Sequence, residues 1–258
     1  MNSLHVGTNK TFDIDFSSNF LLIDDGTIID SLHIPTRRSV THFDVSKHCL
    51  NPLQGMDYRR ARNFVSIINA IFPEGENTLA RKNSTFALLI GLLNKPKSLD
   101  ALFRGLPLPL RATPEAMLEA QQKIDTLLFS PVLKKVLANS NTSSLGKVVL
   151  ARLDRALGDF DAFVIASFLV SQFKGQVIIP DFGFYGREFH TSLIRENRLT
   201  AGINFFDELS PSLKNTLLTI PTKTPQRALF EDAEVLANHA GHLRGTNAYN
   251  DFIKEAME

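Results

Sequence analysis

The sequence predicts an α/β protein: a mainly parallel sheet covered by helices, with a helical insertion. Three observations point there. Short β-branched runs end at acids, as in Gln176-Val177-Ile178-Ile179-Pro180-Asp181. Strand-like and helix-like segments alternate through the second half, the pattern of a parallel sheet with helical crossovers. A long stretch of helical spacing separates two blocks of strand character. The sheet domain is therefore read as residues 1–55 and 139–258, and the insertion as residues 56–138.

The elements follow in order. Phe12, Ile14 and Phe16 alternate with Asp13 and Asp15, which predicts a strand with one buried face. Phe20-Leu21-Leu22-Ile23 is a continuous apolar run closed by Asp24-Asp25-Gly26, a buried strand and its turn. Val40 to Phe43, ending at Asp44, predicts a third strand. From Met56 the period becomes helical, with Phe64, Ile67, Ile68 and Ile71 behind the basic segment Tyr58-Arg59-Arg60-Ala61-Arg62. Thr113-Pro114 and Ser130-Pro131 each place a capping hydroxyl before a proline at a first helical position. Pro73, Pro96, Pro107 and Pro109 divide this region into about four short helices.

After the polar loop from Asn139 to Ser144, Lys147 to Ala151 predicts a strand and Leu157 to Phe173 a helix apolar on most faces. Gln176 to Ile179 reads as a central parallel strand. A helix through Phe189, Leu193 and Ile194 and a strand from Leu199 to Phe205 come next. Helices opened by Ser210-Pro211, spanning Phe230 to Asn238, and spanning Tyr249 to Met257 complete the chain. Val148, Ile178 and Ile203 are expected on adjacent strands of one sheet. Asp24, Asp44 and Asp181 fall at strand carboxyl ends, where sheets of this kind place their chemistry.

Composition excludes several classes. Hydrophobic residues make up 43% and charged residues 21% of the 258 positions, so wholesale disorder is excluded. Lys and Arg total 28 against 27 acids, and no global field draws the chain to nucleic acid or an acidic membrane. A single cysteine, Cys49, excludes an internal disulfide framework and fits a reducing, cytoplasmic setting. The first residues are too polar for a signal peptide, and no apolar run approaches the roughly 20 residues of a membrane span.

The motifs are sparse. The phosphate-binding pattern G-x-x-x-x-G-K-[ST] is absent. Its nearest approach, Gly7-Thr8-Asn9-Lys10-Thr11, has Asn9 in place of the second glycine and Leu4 in place of the first. It precedes an alternating segment instead of joining a strand to a helix, and is read as coincidence. Asp181, ending an apolar strand, could orient magnesium through water, but Phe182 stands where a second carboxylate would polarise that water. A plain turn or helix-capping role suits Asp181 equally, and the residues leave both readings open. His42 with His48-Cys49, and His239 with His242, lack zinc-ligand spacing and are read as surface or satisfied groups. The Arg59-Arg60-Arg62 cluster is read as a solvated helix face.

The order of the pieces resembles the HerA–FtsK superfamily of DNA-pumping ATPases, particularly TraG-type conjugative coupling ATPases. The stretches that carry the resemblance run from Phe20 to Ala237. They are Leu22-Ile23-Asp24-Asp25-Gly26, Ile34-Pro35-Thr36-Arg37-Arg38, Val40 to Asp44 and Asn51-Pro52-Leu53. After the insertion come Gly146-Lys147-Val148-Val149, Ile179-Pro180-Asp181-Phe182, Glu196-Asn197-Arg198 and Ala201 to Phe205. Arg227 and Asp232-Ala233-Glu234-Val235-Leu236-Ala237 complete the set.

The resemblance implies a P-loop, RecA-like fold in degenerate form, since the Walker A lysine, the Walker A helix and the glutamate beside Asp181 are missing. It implies Asp181 as the Walker B-like carboxylate, and Asp24, Arg227 and Asn204 as residues near nucleotide or phosphate. ATP and magnesium would be cofactors only if a partner supplied the Walker A loop. DNA, a second ATPase subunit or further copies of the chain are the implied partners, in conjugative transfer or packaging. The alternative is a non-catalytic α/β assembly protein of a mobile element or phage. A third reading is an unrelated α/β enzyme using Asp181, Glu196 and Arg198. On the family reading Asp24, Asp181 and Arg227 converge at the carboxyl edge of the sheet; on the bland one Arg227 pairs with Glu231.

Overall fold

Leu4 and Val6 are fully buried and alternate with half-exposed Ser3 and His5, making the first strand, β1 (Ser3–Val6). The sequence reading missed this strand. In this computed structural model, residues 2–8, 11–35, 37–71, 78–106, 114–137, 145–186 and 188–258 are described. Asn9, Lys10, Thr36, Pro73, Pro107, Pro109, the Thr113 cap, the loop from Asn139 to Ser144 and the Phe189 side chain lie outside them.

The remaining strands are β2 (Phe20–Asp24), β3 (Val40–Phe43), β4 (Val148–Arg152), β5 (Gln176–Ile179), β6 (Leu199–Ile203) and β7 (Thr222–Pro225). They form one seven-stranded parallel sheet in the order β3-β4-β2-β5-β6-β1-β7, flanked by helices, as the predicted fold class requires. Val148, Ile178 and Ile203 lie in that sheet, but β2 stands between β4 and β5. All five residues of β2 are buried, which is why its run reads without alternation.

The chain divides into two compact units. The first comprises Met1–His42, Gly146–Asp154 and Lys174–Glu258, and the second Phe43–Leu145 and Arg155–Phe173. In the first unit Phe20, Leu22, Val148, Leu150 and Ile178 form a buried cluster on one sheet face. Phe12, Ile14 and Phe16 pack against that cluster, joined by Ile28, Leu32 and Ile34. The segment from 12 to 16 is therefore not a strand, contrary to its pattern. Alternation reports one buried face, and lying across a sheet satisfies it as well as pairing at an edge does.

The second unit holds α1 (Tyr58–Ile71), α2 (Thr78–Leu93), α3 (Leu99–Arg104), α4 (Pro114–Phe129), α5 (Pro131–Leu137) and α6 (Asp159–Gln172). Residues 162 to 170 of α6 are all buried, and Phe168 meets Phe64 of α1 at 5.4 Å between ring centroids. Asp159 and Asp161 sit in its first turn, where carboxylates favour the helix dipole. Ser130 accepts from the Leu133 amide, capping α5, and donates to the Asp161 carboxylate.

The first unit also carries α7 (Phe182–Tyr185), α8 (Ser192–Arg195), α9 (Pro211–Leu218), α10 (Phe230–His239) and α11 (Asn247–Met257). Ser210 caps α9 through the Leu213 amide at 3.2 Å, as its Ser-Pro signature predicts. No helix among the described residues is long and apolar enough to cross a membrane.

Candidate functional site at the carboxyl rim of the sheet

Parallel strands end on one rim. Asp24 ends β2, Asp181 follows β5, Asn204 follows β6 and Arg227 follows β7. The first three stand on consecutive strands, whereas β6 and β1 separate β5 from β7. At about 4.8 Å per strand, Arg227 is roughly 14 Å along the rim from Asp181 and 19 Å from Asp24. All four share the rim, but Arg227 does not converge on the two aspartates. Arg227 is exposed with φ 54°, and among the described residues it forms no ion pair with Glu231.

Asp24 is 4% exposed, and its Oδ2 accepts from the backbone amides of Gly26 (3.0 Å), Ile28 (2.8 Å) and Ile29 (3.1 Å). Such a carboxylate organises a turn. Arg152, at the end of β4, lies over Gly26 and pairs with exposed Asp30 at 3.0 Å. Asp181 caps α7 by accepting from the Phe184 amide at 3.3 Å. Phe182 is fully buried, and a Cβ at Gly186 would stand 2.4 Å from its ring. The position expected to hold a catalytic acid thus belongs to the core. Tyr185, also fully buried, donates its hydroxyl to the Leu153 carbonyl.

The loop after β1 lies on this rim too. Gly7 has φ 129° and donates to the Ile203 carbonyl at 3.0 Å; a Cβ there would fall 1.9 Å from the Gln226 carbonyl oxygen. Gln226 binds the Thr11 amide at 2.9 Å through its side-chain oxygen and the Thr11 hydroxyl at 2.8 Å through its nitrogen. The segment from Gly7 to Thr11 therefore does follow a parallel strand, which the sequence reading did not expect. No helix begins between Thr11 and Asn19 among the described residues, so those residues present no row of helix N-terminal amides to a phosphate.

Sequence reasoning overlooked one further rim group. Asp232, in the first turn of α10, is 5% exposed; one oxygen accepts from the Phe206 amide at 3.1 Å and Oδ2 has no hydrogen-bond partner. Burial raises its pKa above the usual carboxylate value, and the nearby charge of Asp207 adds to the rise. Asp207, Glu208 and Glu231 make this part of the rim acidic, and Lys214, over the Phe206 ring at 5.1 Å, opposes their charge at Asp232.

Other candidates resolve into structure. The Glu196 carboxylate pairs with Arg198 at 2.6 Å, and both precede β6, at the opposite end of the sheet from Asp181. That separation removes the enzyme reading that combined the three. His48 accepts from the Asp44 amide, and His242 packs on Phe252. No group of three or more His, Cys, Asp or Glu among the described residues could hold a metal ion. Arg60 donates to the Gln54 carbonyl, and Arg62 lies 5.9 Å from the Tyr58 ring centroid. No protein-family model matches the chain, and no curated protein matches its sequence.

Proposed function

We propose that the chain is a degenerate P-loop-type domain of the HerA–FtsK kind, one that does not hydrolyse ATP alone and serves within a DNA-transfer or packaging assembly. The parallel sheet and the glycine loop closing β1 at its carboxyl rim support the scaffold half of this reading. One observation carries the loss of hydrolysis: Asp181 caps its own helix beside the buried Phe182. With Phe182 in place of an acid next to Asp181, and no amide cradle among the described residues after β1, little would hold a triphosphate for in-line attack.

Magnesium-dependent ATP turnover by the purified chain, with and without duplex DNA, tests it. Turnover should stay at background in both conditions. Robust turnover lost in Asp181→Ala would overturn the proposal. A purely structural assembly role is the second reading, favoured by Asp24, whose carboxylate is occupied by three backbone amides. Nucleotide binding separates the two: measurable affinity supports the degenerate ATPase, and none supports the assembly protein.

A further inference from the structure

A return between parallel strands takes a dozen or more residues, usually as a helix laid on the sheet. Residues 7–19 connect β1 to β2, and the described ones contain no helix. Their Phe12, Ile14 and Phe16 pack against the cluster of Phe20, Leu22 and Ile178, the apolar half of that face. The other half is polar. Thr200 of β6 is in register with Ser3 of β1, and Ser3 with Thr222 of β7. Gln176 of β5 donates to the Thr200 hydroxyl at 3.0 Å, and the Ser3 hydroxyl donates to it at 3.3 Å. A cavity of about 540 Å³ opens over this row, with Phe20 and Ile178 at its apolar end and Asp13 and Asp15 in its wall.

Parallel sheets normally bury both faces under apolar contacts. Ser3 and Thr200 are half-buried and Thr222 is exposed, so this row presents hydroxyls, not apolar surface, to the cavity. Its size falls within the roughly 300–1,000 Å³ of small-molecule sites. Among the described residues no Lys or Arg lines the cavity. Arg38 is nearby, but its guanidinium donates to the Ser17 carbonyl at 2.6 Å and the Ser18 carbonyl at 3.2 Å. Hydrogen bonds from the Ser17 hydroxyl and amide hold the Asp15 carboxyl below its usual value, so it stays ionised at neutral pH. The wall thus offers hydroxyl, amide and carboxylate groups, with the Arg38 charge acting on Asp15 from outside the lining.

We propose that this cavity binds a small organic amine rich in hydrogen-bond donors, of the polyamine or amino-sugar class. The cavity sits at the amino ends of β1, β6 and β7, on the opposite side of the sheet from the strand ends discussed above. The amine would pair with Asp13 and Asp15, and its donors would meet the hydroxyl row.

The test is an amide-resolved NMR titration of the full chain with spermidine and with glucosamine, using glucose 6-phosphate as the anionic comparator. Saturable shifts at Ser3, Gln176, Thr200 and Thr222 with either amine are expected, and the stronger of the two fixes the source. Asp13→Asn combined with Thr222→Val changes two exposed positions and should weaken binding about tenfold or more with an unchanged amide spectrum elsewhere. The proposal is overturned by an absence of saturable shifts up to about 10 mM amine, by equal shifts with glucose 6-phosphate, or by unchanged affinity in the double variant.

Discussion

Replacing Asp24 with alanine separates a structural carboxylate from a functional one. Its Oδ2 takes three backbone N–H groups, and the Gly26 and Ile29 amides are themselves buried. A buried donor left unmade costs about 1–3 kcal/mol, and a hydrogen bond to a charged acceptor contributes about 1.5–3 kcal/mol. Water entering the vacated space would satisfy some of these amides, so the expected loss is about 2–4 kcal/mol. Asp24→Asn keeps one carbonyl acceptor without the charge and should lose about half as much.

Urea unfolding gives the loss, and hydrogen exchange at Ile28 and Ile29 locates it. Both amides should exchange faster in the alanine variant by the factor its stability loss implies. An active-site acid behaves in the opposite way, since removing it commonly leaves stability unchanged or raised. Asp24→Ala within about 0.5 kcal/mol of the parent, with unaltered protection at Ile28 and Ile29, would refute the turn-organising role.

Gly7→Ala should destabilise by about 2–4 kcal/mol, because φ 129° and a Cβ 1.9 Å from the Gln226 carbonyl oxygen force β1 and β7 apart; the thermal midpoint reads it. Asp232→Asn should be at least as stable as the parent at about pH 8, and its advantage should shrink towards about pH 4. The sign follows from burial: the folded pKa is raised, so stability falls as pH climbs from the unfolded value through the folded one, and the amide escapes that loss. Asp44 should titrate at about 2, held down chiefly by the Ser46 hydroxyl, then by the Ser46 amide and by Lys47. Its contribution to stability is present above the unfolded value of 3.8 and disappears as pH falls through about 2. Ser46→Ala should move the titration, followed by carboxyl-carbon NMR, back towards 3.8.

What the sequence revealed and what it hid have the same cause. β2, β4 and β5 are buried on both faces, so their apolar runs are visible without any partner. β1 and β7 carry Ser3 and Thr222 into the lining of the cavity, His5 packs its ring on Phe12, and Thr222-Lys223-Thr224-Pro225 has no apolar signal. The rim acids were visible as strand-end residues, and their positions on one rim follow from parallel topology. Their partners were not visible. An acid that meets three amides of its own turn, as Asp24 does, is spelled like one that meets a metal. Asp232 could be quoted as part of a helical motif, but its burial depends on the packing of α10 beside the Phe206 turn.

Residues 7–19 link the two ends of the sheet. A helix following Gly7 would have supplied amides at the carboxyl rim and covered the face over β6, β1 and β7. Thr11 is instead held by Gln226, Phe12 packs on His5 of β1 at 4.7 Å between ring centroids, and Phe12, Ile14 and Phe16 lie against the apolar cluster. Among the described residues this connection offers no helix N-terminus after β1, and the cavity opens over the hydroxyl row. An uncovered face of a parallel sheet is costly if apolar and useful only if polar, and Ser3, Thr200 and Thr222 are polar. The polar residues of β1, β6 and β7 are therefore matched to a β1–β2 connection whose described residues form no helix.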